Sequence, residues 1–278
     1  MNTTRGPRRV TSGYDFWCAR RRRGCQARLG GVRIATWNVN GIRARAAQLC
    51  EWLARERPDV VCLQELKATS AQIPAECKVR DYHAFWHTLK GYSGVSVHVR
   101  KDLFAVDPTF SHPSFDMESR IVQVEHGNLV IASVYVPNGG KDYPAKLDFV
   151  QKLIDWTMRL HAEGRDLILC GDLNIARTEM DVHPKERKPN AVGQRPEERA
   201  LFAELLGAHL VDLGRHFDPD NPNLFTWWAP WRNLRARNIG WRLDYVLTSP
   251  AIAARASSCI VQADVGTSDH APVVMTAT

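Results

Sequence analysis

Polar side chains that could do chemistry stand at the ends of short apolar runs along the whole chain. The set comprises Asn38, Asn40, Glu65, Tyr135, Asn138, Asp172, Asn174, Asp244, Asp269 and His270. Carboxylate oxygens suit a hard cation such as Mg²⁺, and a histidine beside a carboxylate suits proton donation near neutral pH. Because the strand ends of a layered sheet meet at one rim, we expect these residues to form a single site.

Each of these clusters also has a purely structural interpretation. Asn38-x-Asn40-Gly41 is an ordinary turn signal, Gly-Asp-x-Asn at Asp172 could cap a helix, and the Ser-Asp-His triplet ending at His270 could be a loop. Five acid and amide clusters in one chain favour the functional interpretation.

Short β-rich runs alternate with amphipathic segments and would position these residues. The run "RIATWNVN" predicts a strand, and a helix follows with Ile42, Ala46, Leu49 and Leu53 on one face. Pro58 ends that helix, and "DVVCLQE" is apolar enough to be a strand buried on both faces.

The remaining elements continue this alternation. Further strands are predicted at "GVSVHVR", "RIVQVEH", "LVIASVYVP", "DLILCGDLN", "WRLDYVLTS", "SSCIVQA" and "APVVMTA". One helix should turn Leu147, Val150, Ile154 and Met158 inward, and another should lie near residues 197–206. Strands separated by helices, with several hairpins, predict a layered α/β sandwich in one domain, residues 32–278.

Composition limits the class of protein. The net charge of +7 lies entirely in residues 1–31, which hold eight arginines and one acid, and the rest of the chain is neutral. We interpret 1–31 as a flexible extension or an upstream start-site artefact; a phosphate-binding arm and an organelle presequence remain alternatives. Seven cysteines without a CxxC pair indicate reduced thiols, and no apolar run is long enough for a membrane span.

Ordered motifs carry a family resemblance. "TWNVNGIRAR", "CLQELK", "GYSGVSV", "VYVPNGG", "LCGDLNIA", "GWRLDYVL" and "TSDHAPV" resemble those of the exonuclease III family of abasic-site (AP) endonucleases, within the endonuclease/exonuclease/phosphatase superfamily. The resemblance runs from Arg33 to the C-terminus. It implies a four-layer α/β sandwich of two mixed sheets flanked by helices.

The resemblance also implies roles for the polar residues. Glu65 would be the main Mg²⁺ ligand, with Asn38 beside it and Asp269 completing the site; Mn²⁺ could substitute. Asp172 would orient and deprotonate the attacking water, and Asn174 would donate to a phosphate oxygen. His270, oriented by Asp244, would donate a hydrogen bond to the scissile phosphate. Tyr135 would be a second donor or, alternatively, the base.

The stretch "LFTWWAPWRNLRARNIGWRLDYV" would recognise the substrate. Trp227, Trp241 and Leu243 would line a pocket for a flipped-out, base-free deoxyribose, and Trp231 would insert into the duplex. The phosphate and DNA contacts would be Lys67, Tyr92, Lys141, Arg232 and Arg235, with Asn190 in a looser match. Alternatively, Trp227 and Trp241 are core residues and Trp231 is a lone exposed aromatic.

These features imply Mg²⁺-dependent cleavage of DNA 5′ to an abasic site, leaving a 3′-hydroxyl and a 5′-deoxyribose phosphate. The partner would be duplex DNA with abasic sites or 3′-blocked ends, and we expect a monomer. We expect a cytoplasmic, nucleoid-associated protein, or a nuclear or mitochondrial one in a eukaryote. Alternatives are mainly 3′→5′ exonuclease and 3′-phosphatase activity, a small-phosphate phosphatase, or a non-catalytic DNA-binding scaffold.

Overall fold

The computed structural model describes residues 31–89, 91–104 and 106–278. The predicted extension, 1–31, therefore lies outside the described residues except for its last glycine. Within the described part, the strands are β1 (Val32–Asn38), β2 (Val60–Gln64), β3 (Tyr82–Leu89), β4 (Tyr92–Arg100), β5 (Thr109–Ser111), β6 (Ile121–His126), β7 (Leu129–Tyr135), β8 (Asp166–Asp172), β9 (Val211–Asp212), β10 (Asp244–Thr248), β11 (Ala256–Val261) and β12 (Val273–Ala277). The α-helices there are α1 (Ile42–Glu56), α2 (Tyr143–Ala162), α3 (Pro196–Gly207), α4 (Leu213–Phe217) and α5 (Pro250–Ala253).

The strands form two mixed six-stranded sheets. The first has the order β11-β12-β1-β2-β4-β3, and the second has the order β5-β6-β7-β8-β10-β9. Each sheet contains one parallel pair, β1 with β2 and β7 with β8. A helix, α1 or α2, connects the strands of each pair, as a parallel connection requires.

The alternation of side chains along each strand builds the layers. In β1, Ile34 packs between the two sheets, whereas Ala35 packs with α1 on the outer face. In β7, Ile131 faces the other sheet, and Ala132 packs with α2 and α3. Both faces of the central strands are thus buried, which explains their nearly continuous apolar runs. The result is the predicted sandwich of helix, sheet, sheet and helix.

The predicted inward face of α2 was only partly correct. Val150 and Ile154 are buried, but Leu147 is half-buried and Met158 is 56% exposed. The inward face instead continues through Thr157 and Leu160, because the 3.6-residue period places position 157, and not 158, on the face that holds Val150 and Ile154. No helix in residues 31–89, 91–104 or 106–278 has the length and apolar character needed to cross a membrane.

Candidate active site

The carboxyl ends of the two parallel strand pairs meet at one edge of the sandwich. Asn38 ends β1 and Glu65 directly follows β2, while Tyr135 and Asp172 end β7 and β8. Asp172 is paired in register with Tyr135 on one side and with Asp244, the first residue of β10, on the other. The topology therefore brings together polar residues that are more than 200 positions apart in sequence.

Asp172 is the most enclosed carboxylate at this edge. It is 1% exposed, and its Oδ1 accepts a hydrogen bond from the Asn174 main-chain N–H (2.9 Å). Its Oδ2 accepts from Asn38 Nδ2 (2.9 Å). Burial raises the pKa of Asp172 to about 7, assisted by the charges of Asp244 and Glu65 and opposed by His270. A carboxyl group with such a pKa can take a proton near neutral pH.

His270 forms a buried pair with Asp244. The Nδ1 of His270 lies 2.8 Å from Asp244 Oδ2, and its Nε2 lies 3.8 Å from Asp172 Oδ2. Burial favours the neutral imidazole, but the Asp244 and Asp172 carboxylates outweigh it and raise the pKa of His270 to about 10. The imidazole is therefore protonated at neutral pH, and its Nε2–H points toward the site as a donor.

Glu65 lies beside Asp172 and is paired with Lys67. The Lys67 Nζ is 2.5 Å from Glu65 Oε2, and Asn38 Nδ2 donates to Glu65 Oε1 (3.1 Å). Burial opposes ionisation, but the Lys67 charge keeps the pKa of Glu65 below its usual value. Ligand atoms of Glu65, Asp172 and His270 lie within 4.8 Å of one another. This acidic group is a candidate metal site.

The backbone at this site adopts a conformation that non-glycine residues rarely use. Positive φ angles occur at Asn40 (45°), Glu65 (53°), Lys67 (50°) and Asn174 (51°). Each such residue costs about 1 kcal/mol or more, and strain of this kind concentrates at functional sites. Main-chain bonds from Lys67 N to Ser93 O (2.9 Å) and from Gly41 N to Glu65 O (2.7 Å) hold the conformation.

Tyr135, at the end of β7, packs its ring against the guanidinium of a buried arginine. The Arg120 guanidinium lies 4.9 Å from the Tyr135 ring centre and 5.2 Å from that of Tyr92, and it donates to the Tyr92 hydroxyl (2.6 Å). Burial, with the Glu65 and Asp172 charges, raises the pKa of Tyr135 above its usual value. The phenol therefore keeps its proton, which favours the predicted donor role over the alternative role as base.

Two tryptophans form the apolar side of the cavity. Trp227 and Trp241 meet edge to face, with ring centres 5.5 Å apart at 80°. They line a cavity of about 300 Å³ together with Asn40, Glu65, Lys67, Asn138, Asn174, Val192, Leu243, Asp269 and His270. A Cβ on Gly193 would come within 3.0 Å of the Trp241 ring, so glycine is needed for the close approach of this loop. Apolar and catalytic residues thus share one cavity.

The motif "WRLDY" alternates between this cavity and the protein interior. Trp241 and Leu243 line the cavity, while Arg242 is 2% exposed and binds Asp181 Oδ1 (2.7 Å) and both oxygens of Asp212 (2.9 and 2.8 Å). Asp244 then reaches His270. The arginine of the motif is therefore part of a buried ion-pair network that fixes the segment leading into β10.

Three predicted site residues have hydrogen-bond partners that bear on their predicted roles. Asn38 Nδ2 donates to the Glu65 and Asp172 carboxylates and its Oδ1 accepts from Asn40 N (2.9 Å), so its role as a metal ligand stays a prediction. Asp269 lines the same cavity, and its oxygens accept from Asn40 Nδ2 (2.7 Å) and Trp227 Nε1 (3.0 Å), so its part in the metal site also stays a prediction. Arg235 donates to carbonyls of residues 263, 265 and 268 and stacks on a buried tryptophan, so its guanidinium is not free for phosphate.

The remaining predicted DNA contacts are exposed side chains. Trp231 is 58% exposed and Tyr92 is 43% exposed. Lys141, Asn190 and Arg232 are also exposed and are not part of the cavity lining.

Sequence reasoning missed two buried cations that support the site. The guanidinium of Arg120 packs against the Tyr135 ring. Lys146 is completely buried, pairs with Glu198 (2.5 Å) and donates to the main-chain oxygen of Asn174 (2.7 Å). The available signal was a lysine four residues before Val150, on the buried face of the predicted helix.

The sandwich and this group of carboxylates, histidine and hydrogen-bond donors define a hydrolase acting on phosphate esters. A model described as the Endonuclease/Exonuclease/phosphatase family matches residues 35–270, and the chain belongs to this family.

Individual members of the family are similar to this chain over most of its length. The chain is 34% identical to an exodeoxyribonuclease of Bacillus subtilis (strain 168) over 252 residues, which cover 87% of this chain and 98% of the relative. Its fold matches an AP endonuclease from Archaeoglobus fulgidus with a TM-score of 0.79 and 28% identity, covering 88% of this chain and 99% of that chain. It also matches a 3′ phosphatase from Neisseria bound to a product DNA hairpin, with a TM-score of 0.81, 28% identity and coverages of 89% and 99%. The resemblance predicted from the sequence motifs is confirmed.

Proposed function

We propose that this protein hydrolyses the DNA phosphodiester on the 5′ side of an abasic site, leaving a 3′-hydroxyl and a 5′-deoxyribose phosphate. The observation that carries the proposal is the shared cavity, which His270 and Glu65 line together with Trp227 and Trp241. Asp172 lies next to His270 and Glu65, with ligand atoms of the three residues within 4.8 Å of one another. The names of the relatives support DNA as the substrate.

The acidic group fits Mg²⁺. Glu65 and Asp172 offer hard carboxylate oxygens close together, which is the donor type that Mg²⁺ prefers. Glu65 would hold the ion, with Asp172 nearby. In this structure the Lys67 ammonium group pairs with Glu65 and compensates its charge. When bound, Mg²⁺ would neutralise charge on the phosphate oxygens and favour hydrolysis.

The residues of the chain would divide the remaining tasks. Asp172, with its pKa near neutrality, would orient a water molecule and accept its proton. Protonated His270 would donate through Nε2 to a phosphate oxygen, because Nδ1 is held by Asp244. Tyr135, which keeps its proton, and Asn174 would donate to the phosphate from the other side of Asp172.

The tryptophan wall would select the lesion. A sugar without a base is small enough for this cavity, and the carbon face of its ring can rest against Trp227, Trp241 and Leu243. Exposed Trp231 could act as a wedge, since unstacking costs least where a base is already missing.

A second activity has its own support. The relative from Bacillus subtilis is an exodeoxyribonuclease, and the structural neighbour from Neisseria is a 3′ phosphatase. The same catalytic residues could therefore remove nucleotides or phosphates from 3′ ends, with the balance set by the loops around Trp231 and Asn190.

The test is cleavage of two labelled duplexes, with Mg²⁺ or with EDTA. One duplex carries a single tetrahydrofuran analogue of an abasic site, and the other is intact with a recessed 3′ end. We expect Mg²⁺-dependent incision at the analogue. Degradation of the recessed end without incision would favour the exonuclease alternative, and no cleavage of either duplex would refute both activities.

We propose a monomer that acts in the compartment holding the DNA, with residues 32–278 as the catalytic domain and 1–31 as a dispensable extension. Deletion of 1–31 should leave incision unchanged, and a loss of affinity with a flatter salt dependence would make the extension a phosphate-binding arm instead.

A further inference from the structure

A second group of metal-ligand residues lies apart from the active-site cavity, at one open side of the sandwich. His87 belongs to β3, the edge strand of the first sheet, and His112 directly follows β5, the edge strand of the second sheet. Asp116 lies in the segment between β5 and β6. One ligand atom from each of the three residues lies within 4.8 Å of the others.

We propose that His87, His112 and Asp116 bind a transition-metal dication such as Zn²⁺, and that this ion joins the edges of the two sheets. Two imidazoles and one carboxylate are a donor set that suits Zn²⁺, Co²⁺ or Ni²⁺, whereas Mg²⁺ prefers oxygen ligands alone. The site is thus distinct in chemistry from the catalytic acidic group.

The carboxylate of this group is already oriented toward the ligands. Asp116 Oδ1 accepts from the main-chain N–H groups of Arg120 (2.8 Å) and Ile121 (3.0 Å). These two bonds direct Oδ2 toward His87, whose Nε2 is 2.7 Å away. The Asp116 side chain is only 8% exposed. A carboxylate fixed by two main-chain hydrogen bonds is therefore present before any ion binds.

The two imidazoles are stacked, with His87 half-buried and His112 exposed. Their ring centres are 4.6 Å apart with planes inclined at 12°, and the Phe85 ring also stacks with His87 at 6.4 Å. Ligand atoms on a tetrahedral ion with bonds of 2.0–2.1 Å lie about 3.3 Å apart. Binding therefore requires the His87–Asp116 pair to open by about 0.6 Å, while the exposed ring of His112 turns inward.

An ion at this position would stabilise the folded protein. The strands β3 and β5 belong to different sheets and are not hydrogen-bonded to each other. Because the three ligands converge only in the folded chain, binding favours folding by mass action. The expected signature is a metal-dependent rise in thermal stability that requires the histidines.

The proposal is tested by calorimetric titration of the full, chelator-treated chain with Zn²⁺, in excess Mg²⁺ to occupy the acidic catalytic group. Wild type is compared with His112→Gln and His87→Gln. The matched control is His83→Gln, since His83 lies on the same face of β3 but pairs with Asp107 (3.2 Å) outside the group. Thermal unfolding is measured on the same samples.

We expect wild type and the His83→Gln control to bind Zn²⁺ alike, with the two test variants about tenfold weaker or more. At a Zn²⁺ concentration about 100 times Kd, Tm should rise by roughly 5 °C in the first two proteins only. Because His112 is exposed, its replacement should leave the fold intact. Equal Zn²⁺ binding and equal Tm shifts in wild type and His112→Gln would overturn the proposal, as would the absence of Zn²⁺ binding to wild type.

Discussion

The charge of His270 depends on Asp244, and replacing that carboxylate tests the predicted donor role. Asp244→Asn keeps an oxygen that can accept from Nδ1 at the observed 2.8 Å but removes the negative charge. We therefore expect the imidazole to keep its orientation and to lose its proton at neutral pH. Incision should then become strongly dependent on pH.

The magnitude follows from the distances in the site. At an effective dielectric constant of 20, a charge 2.8 Å away contributes about 6 kcal/mol and one at 3.8 Å about 4 kcal/mol. The rise in the pKa of His270 from 6.5 to about 10 corresponds to about 5 kcal/mol after burial has opposed it. Loss of the Asp244 contribution should therefore return the pKa of His270 to about 6.5 or below.

The assay is single-turnover incision of a tetrahydrofuran duplex between pH 6 and pH 9. For Asp244→Asn, the rate relative to wild type should fall by about tenfold for each pH unit above about 6.5, as the protonated fraction falls. The control is Asp148→Asn, which removes an exposed carboxylate paired with Lys152 on α2. A pH profile of Asp244→Asn parallel to that of wild type would refute a role for protonated His270.

Further predictions concern the buried ion pairs and the metal. Arg242→Met should lower the free energy of unfolding by about 3 kcal/mol or more, because two buried aspartates lose their cation, whereas exposed Arg237→Met should change it by less than about 0.5 kcal/mol; urea unfolding distinguishes them. Lys146→Met should lower the free energy of unfolding by about 3–5 kcal/mol and should lower kcat, because Glu198 loses its cation and the Asn174 main-chain oxygen loses its donor. Adding Glu198→Gln should restore part of the stability but not kcat. Recovery of kcat in the double variant would show that Lys146 does not hold the site. A proton on Asp172 competes with Mg²⁺, and the pKa of this carboxyl group is about 7. Half-maximal incision should therefore need about tenfold more Mg²⁺ at pH 6 than at pH 8. Equal Mg²⁺ requirements at the two pH values would contradict this competition.

The pH dependence of stability has the same sign for Asp172 and His270. The pKa of Asp172 is raised above its unfolded value, so its contribution to stability is complete below about pH 4 and is lost as the pH rises through about 7. The pKa of His270 is also raised, so its contribution is complete below about pH 6.5 and is lost as the pH rises through about 10. Both groups therefore destabilise the protein at alkaline pH.

The sequence predicted most of the fold because its pattern is strong. Runs such as "DVVCLQE" are apolar on both faces, and the period of α1 matches its buried face. The strands β3 and β5 were not predicted, because they lie at sheet edges where few side chains are fully buried and the alternation is weak.

The site was predictable in its residue types but less so in its contacts. Strand ends and motifs indicated Glu65, Asp172 and His270, which the structure brings together. The orientation of the Asn38 amide could not be predicted, because it depends on a turn that aims Asn40 N at its oxygen. The role of Arg235 likewise depends on carbonyls about 30 residues later in the chain, to which its local sequence gives no clue.

The most direct test of the central claim is the replacement Asp172→Asn, with cleavage and binding measured on the same abasic duplex in Mg²⁺. The substitution keeps the size of the side chain and the acceptor for Asn174 N, but it removes the proton acceptor. Single-turnover incision should fall by about 10²–10⁴-fold, while Kd for the duplex stays close to the wild-type value. Incision at the wild-type rate would contradict the assignment of Asp172 as the base and with it the mechanism proposed for this site.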